Sequence, residues 1–308
     1  MLNSSKPFRS VRQVLPVVAL SASLAIALFA MHFSQATELS RLTKEVSRLR
    51  QEQSIPALVL GRHRNSICYI YSVYSLTIPG QKGGSPRIFR TRVSATGFLA
   101  APGIIATNRH VVEPWWEDEH DEGLIQQGAV AKIERLEAYF PGSSASIPLE
   151  NPRVSPTTDL AIVHLTHRDG DPDLTPLPIA SHPGMPGDSV VVVGYPMGVT
   201  AMLAKSPGAV YKRLALSHDT AEIARDLASQ YLIRPSATYG HLGDVVSDKL
   251  VYDAPTAQGG SGGPVFNSQG EVIGVNAAYI DGFAGGTIGI SVQALKPLLD
   301  QELQARAN

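Results

Sequence analysis

Gly259-Gly260-Ser261-Gly262-Gly263-Pro264-Val265-Phe266 surrounds one serine with four glycines, and the apolar run Glu271 to Ala278 follows it. Glycine accepts backbone angles that other residues resist and lets a ligand approach main-chain N–H groups. A serine held in such a turn suits nucleophilic attack, with neighbouring N–H groups aimed at a developing oxyanion. Glycine-rich turns without chemistry are common, so this serine needs a base and an orienter for that base. Ala106-Thr107-Asn108-Arg109-His110-Val111-Val112 supplies a histidine just after an apolar run, and Thr158-Asp159-Leu160-Ala161-Ile162-Val163 supplies an aspartate at the mouth of another. Histidine suits proton transfer near neutral pH, and an aspartate on its second ring nitrogen sets the tautomer and stabilises the imidazolium. Ser261 is therefore expected as nucleophile, His110 as general base and acid, and Asp159 as orienter.

The elements that must position these residues follow the same punctuation. From Ile67 onward the chain breaks into short apolar or alternating runs separated by glycine and proline. Runs over 66–74, 92–99, 103–107, 131–140, 160–165, 189–194, 250–253, 265–267, 272–278 and 287–291 read as strands, the pattern of an all-β sandwich or barrel. The linear order His110, Asp159, Ser261 is that of the chymotrypsin class and differs from the subtilisin and α/β-hydrolase orders. Thr-Gly-Phe-Leu at 96–99, the histidine and aspartate segments, Gly-Tyr-Pro-Met-Gly at 194–198 and Gly-Gly-Ser-Gly-Gly-Pro together resemble the trypsin-like serine peptidases of the bacterial HtrA/DegP type. The resemblance covers roughly residues 60–300 and rests on the motifs occurring together in order.

That resemblance implies two six-stranded antiparallel β-barrels with the site between them, His110 and Asp159 from the first and Ser261 from the second. It implies an oxyanion hole at the N–H groups of Gly259 and Ser261. A glycine at 259 also suits a peptide that flips, which leaves open whether the hole is formed at rest. It places Pro255 at the base of the pocket for the residue before the scissile bond, with Val275, Asn276 and Ala277 lining its wall and binding substrate backbone. With no carboxylate at position 255, a small or medium apolar residue is expected there rather than a basic one. The resemblance also implies protein or peptide substrates, with no metal and no cofactor. HtrA-type chains usually continue into a PDZ domain, and none is expected in this sequence.

The N-terminal region has a different composition. Residues 1–13 carry Lys6, Arg9 and Arg12 and no acid, and Val14 to Met31 contains no charge. At about 1.5 Å per residue this run nearly spans a bilayer core of about 30 Å. A basic flank stays cytoplasmic and sends the remainder outward. The expectation is a cytoplasmic segment 1–13, a signal-anchor 14–33, a stalk or linker 34–58, a peptidase domain 59–300 and a tail 301–308. The localisation that follows is a single-pass bacterial inner-membrane protein with its peptidase domain in the periplasm. Ser34-Gln35-Ala36 leaves open cleavage after Ala36 and secretion. Leu39, Leu42, Val46 and Leu49 make one apolar stripe on a charged helix over 37–53, a seam for self-association or a solvated spacer ending near Pro56.

Other features narrow the class. The net charge of −1 provides no field for nucleic acid. The single cysteine, Cys68, excludes an intrachain disulfide and sits in an apolar run as a small buried hydrophobe. The 27 glycines and 22 prolines suit a turn-rich β fold. The acidic run 115–122 reads as a solvated loop and 80–90 as a hairpin loop. Residues 216–233 read as an inserted helix, capped by Ser217-His218-Asp219, that has Leu216, Ile223, Leu227 and Tyr231 on one face and covers part of the cleft. A short helix over 293–305 closes the chain. Two rivals stay open: a silent peptide- or partner-binding protein on the same frame, and an esterase.

Overall fold

A computed structural model describes residues 11–80, 84–166, 174–279 and 286–307; residues 1–10, most of the expected basic segment, lie outside them. The chain divides into two compact units, Met1–Ser54 and Ile55–Asn308. The first consists of most of one long helix, α1 (Val11–His63). Its apolar residues from Leu20 to Phe33 are exposed, and it is long and apolar enough to cross a membrane. Leu39, Leu42, Val46 and Leu49 lie further along it and are exposed too.

The second unit opens with the last turns of α1. Pro56 does not end the helix, contrary to expectation. Ile55, Val59 and His63, spaced four apart, are buried on one face. Their packing offsets the hydrogen bond that an internal proline removes.

Among the described residues, twelve strands then form two closed barrels. The first runs β1 (Ile67–Ile78), β2 (Arg87–Ala101), β3 (Ile104–Thr107), β4 (Val130–Tyr139), β5 (Ile147–Val154) and β6 (Ala161–Leu165), in spatial order β1-β2-β3-β6-β5-β4. The second runs β7 (Ser189–Gly194), β8 (Ser236–Val246), β9 (Lys249–Tyr252), β10 (Pro264–Phe266), β11 (Val272–Tyr279) and β12 (Thr287–Ser291), in spatial order β10-β11-β12-β9-β8-β7. All pairings between these strands are antiparallel.

β1 explains how the barrels join. Successive residues of a strand face opposite sides. Cys68 and Ile70 fill the first barrel, while Tyr69 and Tyr71 enter a second cluster with Val191, Val193, Phe266 and Val275. Both faces of β1 are therefore apolar. Across the seam the Tyr195 hydroxyl donates to the Ile67 carbonyl at 3.0 Å. Burial pushes the Cys68 thiol up, in keeping with an inert core position.

The stretch between β7 and β8 of the second barrel holds three helices where the sequence announces one. These are α4 (Gly198–Ala204), α5 (Gly208–Leu214) and α6 (Thr220–Ser229). Asp219 caps α6 by accepting from the Ala221 N–H at 2.9 Å. Met202, Leu203, Val210, Leu214, Ile223 and Leu227 join the cluster that holds Tyr69 and Tyr71, while Leu216 and Tyr231 are exposed. The insertion packs on the outer face of the first barrel.

Three further expectations are adjusted. β2 begins at Arg87, so residues 87–90, the end of the expected hairpin loop, are strand, and part of that loop, 81–83, lies outside the described residues. The acidic run includes α3 (Glu119–Gln126), whose Asp121 is buried and accepts from the Tyr74 hydroxyl at 2.7 Å. The expected tail is the end of α7 (Val292–Ala307), where the buried Glu302 meets Arg153 at 2.8 Å and His164 at 3.0 Å on β5 and β6.

Candidate active site

His110 lies on a single helical turn, α2 (Arg109–Val112), directly after β3. Val111 and Val112 are buried in the first barrel and fix that turn at its rim. Asp159 precedes β6. One of its carboxylate oxygens accepts the His110 main-chain N–H at 3.0 Å. The other lies 2.8 Å from His110 Nδ1. The Asn108 side chain donates to the Asp159 carbonyl at 2.8 Å. One carboxylate thus holds both the backbone and the ring of the histidine, and the ring is left with Nε2 for another partner.

The serine turn is held from both barrels. Thr96 of β2 donates its N–H to the Ser261 carbonyl at 2.8 Å and its hydroxyl to the Gly259 carbonyl at 2.8 Å. That hydroxyl also accepts the Tyr195 N–H at 3.0 Å, and Thr96 is fully buried. From the second barrel, Asn276 donates from Nδ2 to the Gly260 carbonyl at 2.9 Å and accepts from the Tyr252 hydroxyl at 2.7 Å. Gly259 has φ +95°, and a Cβ there would lie 2.6 Å from the Tyr195 carbonyl. The turn of Gly-Tyr-Pro-Met-Gly is therefore the surface against which the serine turn packs, and only glycine fits at 259.

The peptide before Gly259 has a defined direction. The Gln258 carbonyl accepts the Met197 N–H at 2.7 Å. A trans peptide carries its N–H opposite its carbonyl, so the Gly259 N–H points away from Met197. Among the described residues neither it nor the Ser261 N–H has a partner. The Ser261 hydroxyl donates to the Ala277 carbonyl at 3.0 Å, and among the described residues no hydrogen bond joins it to His110.

The expected substrate residues separate. Ala277 is brought beside Ser261. It sits at an irregularity of β11 where Asn276 and Ala278 pair with β12 and Ala277 does not. Val275 is fully buried between Pro264 and Ile290, so its side chain belongs to the core rather than to a pocket wall. Asn276 is 1% exposed and committed to the serine turn. Pro255 is exposed after β9 rather than at the floor of a buried pocket. Thr96 and Tyr252 were not read from the sequence as site residues. The Thr-Gly-Phe-Leu segment that Thr96 opens is the one trace it leaves in the sequence.

The trypsin-like peptidase domain family matches residues 95–275, which include His110, Asp159 and Ser261. A probable periplasmic serine endoprotease, DegP-like, of Chlamydia pneumoniae is 29% identical over 64% of this chain and 31% of its own length. The serine protease Rv3671c of Mycobacterium tuberculosis is 25% identical over 78% of this chain and 52% of its own length. The chain thus spans about a third of the first of these relatives and about half of the second. Among solved structures, the HtrA-type protease AlgW with a decapeptide superposes with a TM-score of 0.53 at 14% identity, over 80% of this chain and 66% of that one. This likeness shows the shared fold. By the family match over more than half its length, the chain belongs to the trypsin-like peptidases.

Proposed function

We propose that the chain is a serine endopeptidase that cleaves flexible or unfolded protein segments, with Ser261 as nucleophile, His110 as general base and acid, and Asp159 as orienter. The observation that carries this reading is the paired grip of Asp159 on the His110 N–H and Nδ1, at 3.0 and 2.8 Å. It leaves Nε2 to accept the serine proton during attack and return it to the leaving amine. For attack, the Ser261 hydroxyl turns from the Ala277 carbonyl to His110. The vacated carbonyl then accepts a backbone N–H of the substrate, which seats the acyl side of the peptide along β11. The Gly259 and Ser261 N–H groups receive the oxyanion. With Gln258 already bonded to Met197, the hole needs no peptide flip.

The apolar helix 14–33 anchors the chain in a bacterial inner membrane with residues 55–308 in the periplasm. The exposed stripe from Leu39 to Leu49 is a seam for self-association. Casein and unstructured peptides are expected to be cut by the wild type and not by Ser261→Ala. Equal cutting by both would overturn the assignment. The Ser261–Ala277 bond favours a second reading, a peptide-binding protein that does not cleave. That reading predicts peptide binding without product and no labelling by a fluorophosphonate.

A further inference from the structure

Beside the site, on the outer face of the first barrel, lies an open cleft of about 430 Å³. Four guanidinium groups line it: Arg90, Arg92, Arg135 and Arg225. Only Glu134 and Asp219 oppose them there. Glu134 is already engaged by Arg90 at 2.7 Å. Asp219 accepts the Ala221 N–H of α6, and although burial raises its pKa, the Ala221 and Glu222 N–H groups and then Arg225 and Arg92 bring it below the usual carboxylate range. Arg135 has a long contact with Glu137 at 3.6 Å. Among the described residues, Arg92 and Arg225 form no ion pair within 4.0 Å. The cleft therefore keeps an uncompensated positive charge at the junction of β2 and the inserted helix α6.

Its position follows from strand register. Thr96, Tyr69 and Tyr139 form one row across β2, β1 and β4. Arg92, Val73 and Arg135 form another row on the same face, four residues along β2. At about 3.4 Å per residue the two rows are about 14 Å apart. Thr96 is bonded to the Ser261 carbonyl, so an extended chain leaving the nucleophile reaches the arginine row in roughly four residues. Between them, Ser94 lies against Gly198 at the start of the insertion, which leaves Arg225 of α6 facing Arg92 across the groove.

From this juxtaposition we infer that the cleft is a subsite for acidic side chains three to five residues C-terminal to the scissile bond. The inference rests on the peptidase reading above, in which the acyl side lies along β11 and the leaving side therefore runs toward β2. Carboxylates pair with guanidinium groups through charge-assisted, often bidentate hydrogen bonds. Two arginines on facing elements, neither held in a close ion pair, suit such a group better than a lysine-rich surface would.

The test uses the detergent-solubilised full chain and a set of fluorogenic peptides. A pair of glutamates is placed three to five residues after the cleaved bond, or at the mirror positions before it, or replaced by glutamines. The acid after the bond is expected to raise kcat/KM by about tenfold, and the gain is expected to fall in 0.5 M salt. Arg92→Gln with Arg225→Gln is expected to abolish the gain and leave cleavage of the glutamine peptide unchanged. An equal gain from acid before the bond, or a gain that survives the double substitution, overturns the inference. In Ser261→Ala the same peptides are measured by fluorescence anisotropy. Tighter binding of the acid-bearing peptide there supports the subsite even if no peptide is cleaved, whereas equal binding of the acidic and glutamine peptides overturns it.

Discussion

The two barrels bring unlike halves to the site. On the first, Asp159 holds His110 through two bonds and Asn108 fixes Asp159 in turn. On the second, the Ser261 hydroxyl is bonded to the Ala277 carbonyl. His110 and Asp159 are set within one barrel, whereas Ser261 depends on a joint between barrels whose hub is Thr96. Under the proposed function, competence depends on how the serine turn is seated as much as on the presence of the three side chains.

That contrast is open to direct attack. Replacing Asp159, the proposed orienter, strikes the preset half and is expected to have the largest effect. Asp159→Asn permits the wrong imidazole tautomer, and kcat is expected to fall about 10⁴-fold with KM little changed. Steady-state kinetics on a peptide substrate check this, and a change confined to KM would contradict a preset base.

Thr96→Val strikes the joint. It removes the hydroxyl that donates to the Gly259 carbonyl and accepts the Tyr195 N–H, and leaves both without that partner. The expected cost is about 1–3 kcal/mol of stability. If the serine turn shifts so that one oxyanion donor is lost, kcat falls about 10²-fold. Thr96→Ser keeps the hydroxyl and is expected to restore most of the rate. Urea titration and kcat measured on the same samples separate the two effects. Full activity in Thr96→Val would remove the joint from the account.

A smaller effect concerns the far end of the serine half. His63 stacks on Phe266 with ring centroids 5.2 Å apart. Burial holds its pKa below the ordinary histidine range, with Arg62 adding to the shift. Above the unfolded value of about 6.5 both states are neutral and the full stability is present. As the pH falls below it, the unfolded chain binds the proton first, so stability declines toward the lowered folded pKa. Urea midpoints from pH 7.5 to 5 are expected to drop, and His63→Phe is expected to flatten part of that drop. An unchanged slope would mean that other groups carry it.

Much of this architecture was legible because its signals are local. The serine turn, the histidine turn and the aspartate entry each carry their own pattern within six or eight residues. β5 and β8 escaped the reading because Pro148, Pro152 and an Asn151 at φ 50° interrupt one, and Gly240 and Gly243 interrupt the other. α4 and α5 are seven residues each and begin on glycine, too short for a helical period to emerge. α1 continues through Pro56 because the second unit covers the face carrying Ile55 and Val59, and a local stop signal cannot register that burial. Val275 and Asn276 differ from expectation for the same reason. Their strand was readable, but which of its side chains faced the core, the serine turn or the cleft was decided by partners far along the chain. Thr96 is the sharpest case: it opens a legible segment, but its role as a hub exists only once two barrels meet.

Under the proposed function, Ser261 is a nucleophile activated by His110. A fluorophosphonate reagent on the full chain, with the labelled peptide located by mass spectrometry, tests it most directly. A single adduct on Ser261 is expected in the wild type, none in Ser261→Ala and strongly slowed labelling in His110→Ala. No adduct on Ser261 in the folded wild type, or equal labelling with and without the imidazole, would contradict it.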